Sequence, residues 1–179
     1  GLLLDRQLFY SPTEPWERFG SEDPRVTVIG DQTVLFYTAL GRFPPDPDSI
    51  RVGMLLMDPQ FQIINKGLVT PFNAKAMCAF PQKINGKYGV VFSYSTDRPP
   101  SRTMLAFANQ LEDFWDDKFW KEWWAQEQRD SCFEIPLTRM NTDQVEIGAQ
   151  PLWTPEGWLL LYAHLRNYGT SAKVVFGIE

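Results

Sequence analysis

The chain has 179 residues, of which 44 % are hydrophobic, 22 % charged and 15 % aromatic, enough for one sizeable core and too apolar for a disordered chain. A net charge of −5 argues against a general nucleic-acid binder, which needs a basic surface. No stretch approaches the roughly 20 apolar residues of a membrane helix, and the opening Gly-Leu-Leu-Leu is too short for a signal peptide. The sequence leaves the compartment open, with the cytoplasm favoured. Two cysteines and one histidine in scattered contexts do not make a zinc site. No metal and no cofactor is expected, and Cys78, within Ala-Met-Cys-Ala-Phe, reads as a small buried hydrophobe.

In chain order, three hairpin-like segments recur. The first runs Val26–Ile29, turns at Gly30-Asp31-Gln32 and returns through Thr33–Thr38. The second runs Phe80–Ile84, turns at Asn85-Gly86 and returns through Lys87–Phe92. The third runs Gln150–Trp153, turns at Thr154-Pro155-Glu156-Gly157 and returns through Trp158–Tyr162. Asn-Gly between apolar runs is the strongest short hairpin signal, because both central residues need positive φ. Each hairpin is followed by another β-type run: Ile50–Met57, Thr103–Ala108 and Ala172–Ile178. The first copy shows a fourth strand near Phe61–Ile64.

A unit of about four antiparallel strands repeated every 50 to 70 residues marks an all-β chain built of β-propeller blades. The expected blades span 22–70, 75–130 and 147–179, the last incomplete, within one partial domain. A propeller must close to remove its edges. The expectation is therefore a fragment of a larger ring, or a ring completed by self-association of two chains through open blade edges. Residues 112–130 form an insertion in which Trp115, Phe119 and Trp123, and separately Trp120 and Trp124, recur every four residues. That predicts an amphipathic helix, whose aromatic stripe either packs on its blade or offers a stacking platform for sugars.

The first strand of a blade is its innermost, and its start lies at the channel mouth. The equivalent points are Glu22-Asp23-Pro24-Arg25, Asn73-Ala74-Lys75-Ala76 and Ile147-Gly148-Ala149-Gln150. Ionisable groups at one blade position in successive copies suit an anion or a sugar. Glu22 and Asp23 are adjacent, so on a regular strand only one of them faces the channel.

These same residues carry a resemblance. Ser21-Glu-Asp-Pro-Arg-Val26 resembles the Glu-Asp-Pro-Arg signature of glycoside hydrolase family 130, the β-mannoside phosphorylases and related hydrolases. Lys75, then Phe80-Pro-Gln-Lys-Ile84, then Asp97-Arg98-Pro99, and finally Ile147-Gly-Ala-Gln-Pro151 with Gly157-Trp-Leu-Leu-Leu-Tyr162 follow in the family's order over about 140 residues. The resemblance implies a five-bladed β-propeller, of which about three blades are present here. It implies an enzyme that cleaves β-mannosides such as mannosyl-glucose or mannooligosaccharides by phosphorolysis or hydrolysis. Asp23 is then the proton donor. Arg25, Arg51, Lys75, Arg98 and His164 are the candidates for binding substrate or phosphate, Arg51 by position only. Inorganic phosphate is the possible co-substrate, and the partner is a small carbohydrate, with no nucleic acid and no membrane. The chain departs from the pattern at Ala74-Lys75-Ala76-Met77, where the family has Asn-Lys-Asp-Ala, and at Gln150, where it has Gly. A non-catalytic carbohydrate-binding or scaffold propeller is the alternative. His164 is either a channel contact or an ordinary strand-end histidine, since a one-residue slip reverses its face.

Overall fold

The computed structural model describes residues 8–170. Two four-stranded antiparallel meanders follow one another. The first consists of β1 (Gly20–Ile29), β2 (Gln32–Leu40), β3 (Ile50–Met57) and β4 (Ile63–Leu68), adjacent in that order. The second consists of β5 (Ala74–Ala79), β6 (Tyr88–Tyr94), β7 (Arg102–Ala108) and, after helix α1 (Asp117–Asp130), β8 (Glu134–Ile135). A third unit follows with β9 (Gln144–Ile147), β10 (Leu152–Thr154), β11 (Gly157–Leu159) and β12 (Tyr162–Leu165); β10 pairs with β11 and β9 with β12. The described part is thus mainly β, with little helix. The expected run Ala172–Ile178 lies outside the described residues.

The strands lie where burial explains their composition. The central strand β2 has neighbours on both sides, and from Thr33 to Leu40 every residue is buried. Its run Val34-Leu-Phe-Tyr is apolar on both faces because both faces are covered. The edge strand β4 buries nothing completely, with Ile63 and Ile64 exposed ahead of Asn65, Lys66 and Gly67.

Successive units stack face to face. Val34, Phe36, Val52, Met54 and Leu56 of the first sheet meet Met77, Val90, Phe92 and Met104 of the second in one core. The other face of the second sheet (Ala76, Cys78, Val91) packs against Ile147, Trp158 and Tyr162 of the third unit. The outer face of the first sheet (Leu35, Tyr37, Leu55) is covered by Tyr10 and Trp16. A buried polar knot fastens that cover. Glu17, with no exposed surface, accepts bonds from Tyr10 and Tyr37 (both 2.5 Å), from Lys66 (3.0 Å) and from the backbone N–H groups of Thr13 and Glu14. Burial alone would raise its pKa, but these donors outweigh it and hold the carboxyl at about 2.

The aromatic insertion is the helix α1, capped by the Asp116 carboxylate on the Lys118 N–H and ended by Ser131 in the left-handed conformation. Trp120 and Trp123 are buried, and Trp120 stands edge-on to Phe72 and Phe92 at 5.3 and 5.8 Å between ring centres. The stripe is therefore packing surface, and these rings are not free to stack on a sugar.

Three strand expectations shift. The first arm of the second hairpin is Ala74–Ala79 and not Phe80–Ile84, because Pro81 has no N–H and the chain leaves the ladder there. It rejoins at the Ile84–Lys87 bridge around Asn85 and Gly86, both at positive φ (49° and 77°). The fourth strand begins at Ile63, since Phe61 (φ 61°) belongs to a turn whose Asp58 carboxylate accepts the N–H groups of Gln60 and Gln62. The return arm of the third hairpin is split into β11 and β12 by Leu160-Leu161.

Candidate functional site

The three segments that the sequence singles out are the places where the first hairpin of each unit loses its regular register. In β1 the pairing shifts between Glu22 and Arg25, leaving Asp23 and Pro24 opposite one residue of β2. In β5 it shifts between Lys75 and Cys78, leaving Ala76 and Met77 in the same position. The first bulged residue is left-handed in both, with φ of 52° at Asp23 and 57° at Ala76. In the third unit the ladder is interrupted after Ile147, and the Gly148 N–H bonds to the Leu161 carbonyl at 2.9 Å. A bulge re-aims side chains, so the alternation rule that separates Glu22 from Asp23 does not apply to this stretch, and both are exposed.

Two contacts draw these segments together. The Arg25 guanidinium donates to its own bulge through the Asp23 carbonyl (2.8 Å) and to the Ile147 carbonyl (2.9 Å), so it ties the first unit to the third. The Lys75 ammonium lies 2.8 Å from Glu146 Oε1 and 3.5 Å from Asp97 Oδ2. Gln144, fully buried on β9, steadies this cluster. Its Oε1 accepts the Asp97 N–H at 2.7 Å, and its Nε2 donates to Glu146. Tyr168 donates its hydroxyl to Asp97. Burial, then the hydrogen bond to Asp97 and the nearby negative charges, push the Tyr168 hydroxyl up to about 12. For Lys75 burial acts to lower the pKa, but the bond to Glu146 and the charge of Asp97 outweigh it, and the pKa is raised.

The remaining predicted residues sit elsewhere. Arg98 pairs with the exposed Asp48 at 2.8 Å. Arg51, whose guanidinium donates to its neighbour's carbonyl, is within the field of Asp48 and Asp46, while Arg42 pairs with Asp46 at 2.6 Å. Arg51 and Arg98 thus share one acidic neighbourhood, beside but separate from the Lys75 cluster. His164 is buried on β12, with Nε2 at 2.9 Å from Asp143 Oδ2. Asp143 also accepts the Met140 and Arg139 N–H groups, so the pair closes a loop within the third unit. Among the described residues no three His, Cys, Asp or Glu side chains converge as metal ligands. Cys78 is buried, and burial pushes its thiol up to about 11.

Sequence reasoning missed Glu146 and Asp97 as partners of Lys75, and Gln144 and Tyr168 as the groups that hold those carboxylates. A signal was available for two of them: Gln144 and Glu146 are two apart, so on a strand they share a face.

The comparisons with known proteins bear on the family of the chain. The family model described as beta-1,4-mannooligosaccharide phosphorylase matches residues 4–178. A 1,2-beta-oligomannan phosphorylase from Thermoanaerobacter sp. (strain X514) is 30% identical over 162 residues, covering 90% of this chain and 48% of that protein. The beta-1,2-mannobiose phosphorylase of Listeria innocua, solved in complex with beta-1,2-mannobiose, superposes with a TM-score of 0.63 at 22% identity over 92% of this chain and 44% of that one. A mannose phosphorylase from Leishmania mexicana, solved with phosphate ion, gives a TM-score of 0.55 at 11% identity, covering 83% and 42%. This chain therefore spans under half the length of each of these proteins. With the family model matched over nearly its whole length and the motif segments meeting around Lys75 and Arg25, the chain belongs to glycoside hydrolase family 130.

Proposed function

We propose that this chain supplies part of the site of an enzyme that cleaves β-mannosides, by phosphorolysis or hydrolysis. The three sheet units are read as successive blades of a β-propeller, and their bulged first strands as the wall of its central channel. Asp23 is the proton donor in this reading. Its proton passes to the glycosidic oxygen as the bond from that oxygen to the anomeric carbon breaks, while phosphate or water attacks that carbon. Lys75, held among Glu146, Asp97 and Gln144, orients the sugar.

The observation that carries the proposal is the meeting of the three irregular segments. Arg25 reaches Ile147, and Lys75 reaches Glu146, across units far apart in sequence. The ladder defect recurs at the same position in the first two units, so their irregular residues stand at equivalent points. The relatives named phosphorylases support the reaction class.

The test is Asp23→Asn in the protein that carries this chain, assayed on β-1,2- and β-1,4-mannobiose with and without inorganic phosphate. Turnover should fall by about 10²–10⁴, the usual contribution of a general acid, with circular dichroism unchanged. A sugar 1-phosphate product assigns phosphorolysis, and free mannose without phosphate dependence assigns hydrolysis. Near-normal turnover in the variant removes Asp23 from the mechanism. The second reading, a carbohydrate-binding unit without catalysis, is favoured by Ala76, a buried methyl group at the bulge position where the first unit carries the exposed Asp23 carboxylate. Mannoside binding with no turnover in the unmodified protein selects it.

A further inference from the structure

Lys75 is a candidate for anion binding by its motif, yet the structure surrounds it with acid. Glu146 Oε1 is 2.8 Å from the ammonium, and Asp97 Oδ2 is 3.5 Å away. All three side chains are largely shielded, with relative exposures of 17 %, 27 % and 24 % for Lys75, Glu146 and Asp97. Neither carboxylate is free to swing aside. Asp97 is fixed by Tyr168 and through its own N–H by Gln144, and Glu146 accepts from Gln144. Two carboxylates against one ammonium leave this cluster with one net negative charge. A doubly charged phosphate placed on Lys75 would meet both carboxylates at close range, where solvent screens them poorly. A neutral sugar has the opposite fit: its hydroxyls donate to the carboxylates and accept from the ammonium.

We propose that Glu146 is a specificity-determining residue which, by occupying Lys75, closes this position to phosphate and reserves it for the hydroxyls of a neutral sugar. The inference rests on the reading of this cluster as part of a carbohydrate site. It goes beyond that reading by assigning to Glu146 the exclusion of phosphate from Lys75.

The experiment measures binding of inorganic phosphate by titration calorimetry, independently of turnover. It compares the unmodified protein, Glu146→Gln, Asp97→Asn, Lys75→Met, and Glu146→Gln combined with Lys75→Met. Removing either carboxylate should tighten phosphate binding by about tenfold or more, and the gain in Glu146→Gln should vanish when Lys75 is also replaced. Asp97→Asn keeps the test open if Glu146→Gln fails to fold. Unchanged or weaker phosphate binding in the single variants overturns the proposal, as does a gain that survives Lys75→Met. Tight phosphate binding by the unmodified protein that is lost in Lys75→Met alone also overturns it. Mannobiose titrated in the same cell separates the two levels. If phosphate binding responds as expected but mannobiose neither binds nor turns over, the electrostatic assignment stands and the β-mannoside reading falls. The converse pattern keeps the enzyme and discards the role of Glu146.

Discussion

Replacing Glu17 with Gln tests the polar knot under the outer face of the first sheet. The carboxylate accepts bonds from two tyrosine hydroxyls, one ammonium and two backbone N–H groups. A glutamine has one acceptor oxygen and points an N–H₂ group at the remaining donors. A carboxyl whose pKa falls from 4.5 to about 2 on folding contributes about 3 kcal/mol at neutral pH. Because the folded pKa is the lower one, that contribution is complete above pH 4.5 and is lost as the pH falls through about 2. Urea unfolding followed by circular dichroism at pH 7, 4.5 and 3 reads the difference between the two proteins, in which other titrating groups cancel. The gap should be about 3 kcal/mol at pH 7 and about half of that at pH 3. A gap below about 0.5 kcal/mol at pH 7, the level of an ordinary surface change, or one that does not narrow with acid, would refute the reasoning.

Three further outcomes are expected. Trp120→Ala should destabilise by about 3–5 kcal/mol, since the ring is buried among Phe72, Phe92, Phe114 and Trp123 and its Nε1 donates to the Phe114 carbonyl at 2.9 Å; urea titration measures it. Gly86→Ala should cost about 1 kcal/mol through positive φ alone, because no atom lies within 4 Å of the added methyl group, and thermal unfolding checks it. Sedimentation velocity at rising concentration should show self-association, because Val26 and Val28 on β1 and Leu152, Trp153 and Leu159 on β10 and β11 are exposed; a single unchanging monomer boundary contradicts this.

Much of the fold was legible because turn chemistry is local. Asn85-Gly86 specifies its turn without help from the rest of the chain, and the apolar runs of β2, β3 and β7 are long enough to read as strands. Strand limits were less legible where one residue overrides a pattern. Pro81 looks like part of an apolar arm until its missing N–H is counted, and Ala74–Ala79 looks too short and small to be a strand until its two covered faces are known. The site was legible only in half. Lys75 and Asp23 are marked by motif, but their surroundings come from contacts over long sequence separations. Nothing near Lys75 in sequence announces Glu146, and nothing near Arg25 announces the Ile147 carbonyl. The split of Arg51 and Arg98 from the Lys75 cluster follows from the position of Asp48, in a single 3-10 turn (Pro47–Ser49) too short for periodicity to describe.

The matching irregularities in β1 and β5 separate the offset of the ladder from the side chain carried at it. The offset is a property of the ladder, because the extra residue has to be taken up for the strands on either side to stay paired. The side chain carried at the offset is not needed for that pairing. Asparagine, aspartate and glycine enter the left-handed conformation most easily, yet Ala76 occupies it and Asp23 occupies its counterpart. A scaffold of this kind can exchange the side chain at each offset one unit at a time, leaving the strand register untouched. Loss of a reactive side chain in one unit is then compatible with full retention of the architecture, and new specificity can arise at such a position without a new fold.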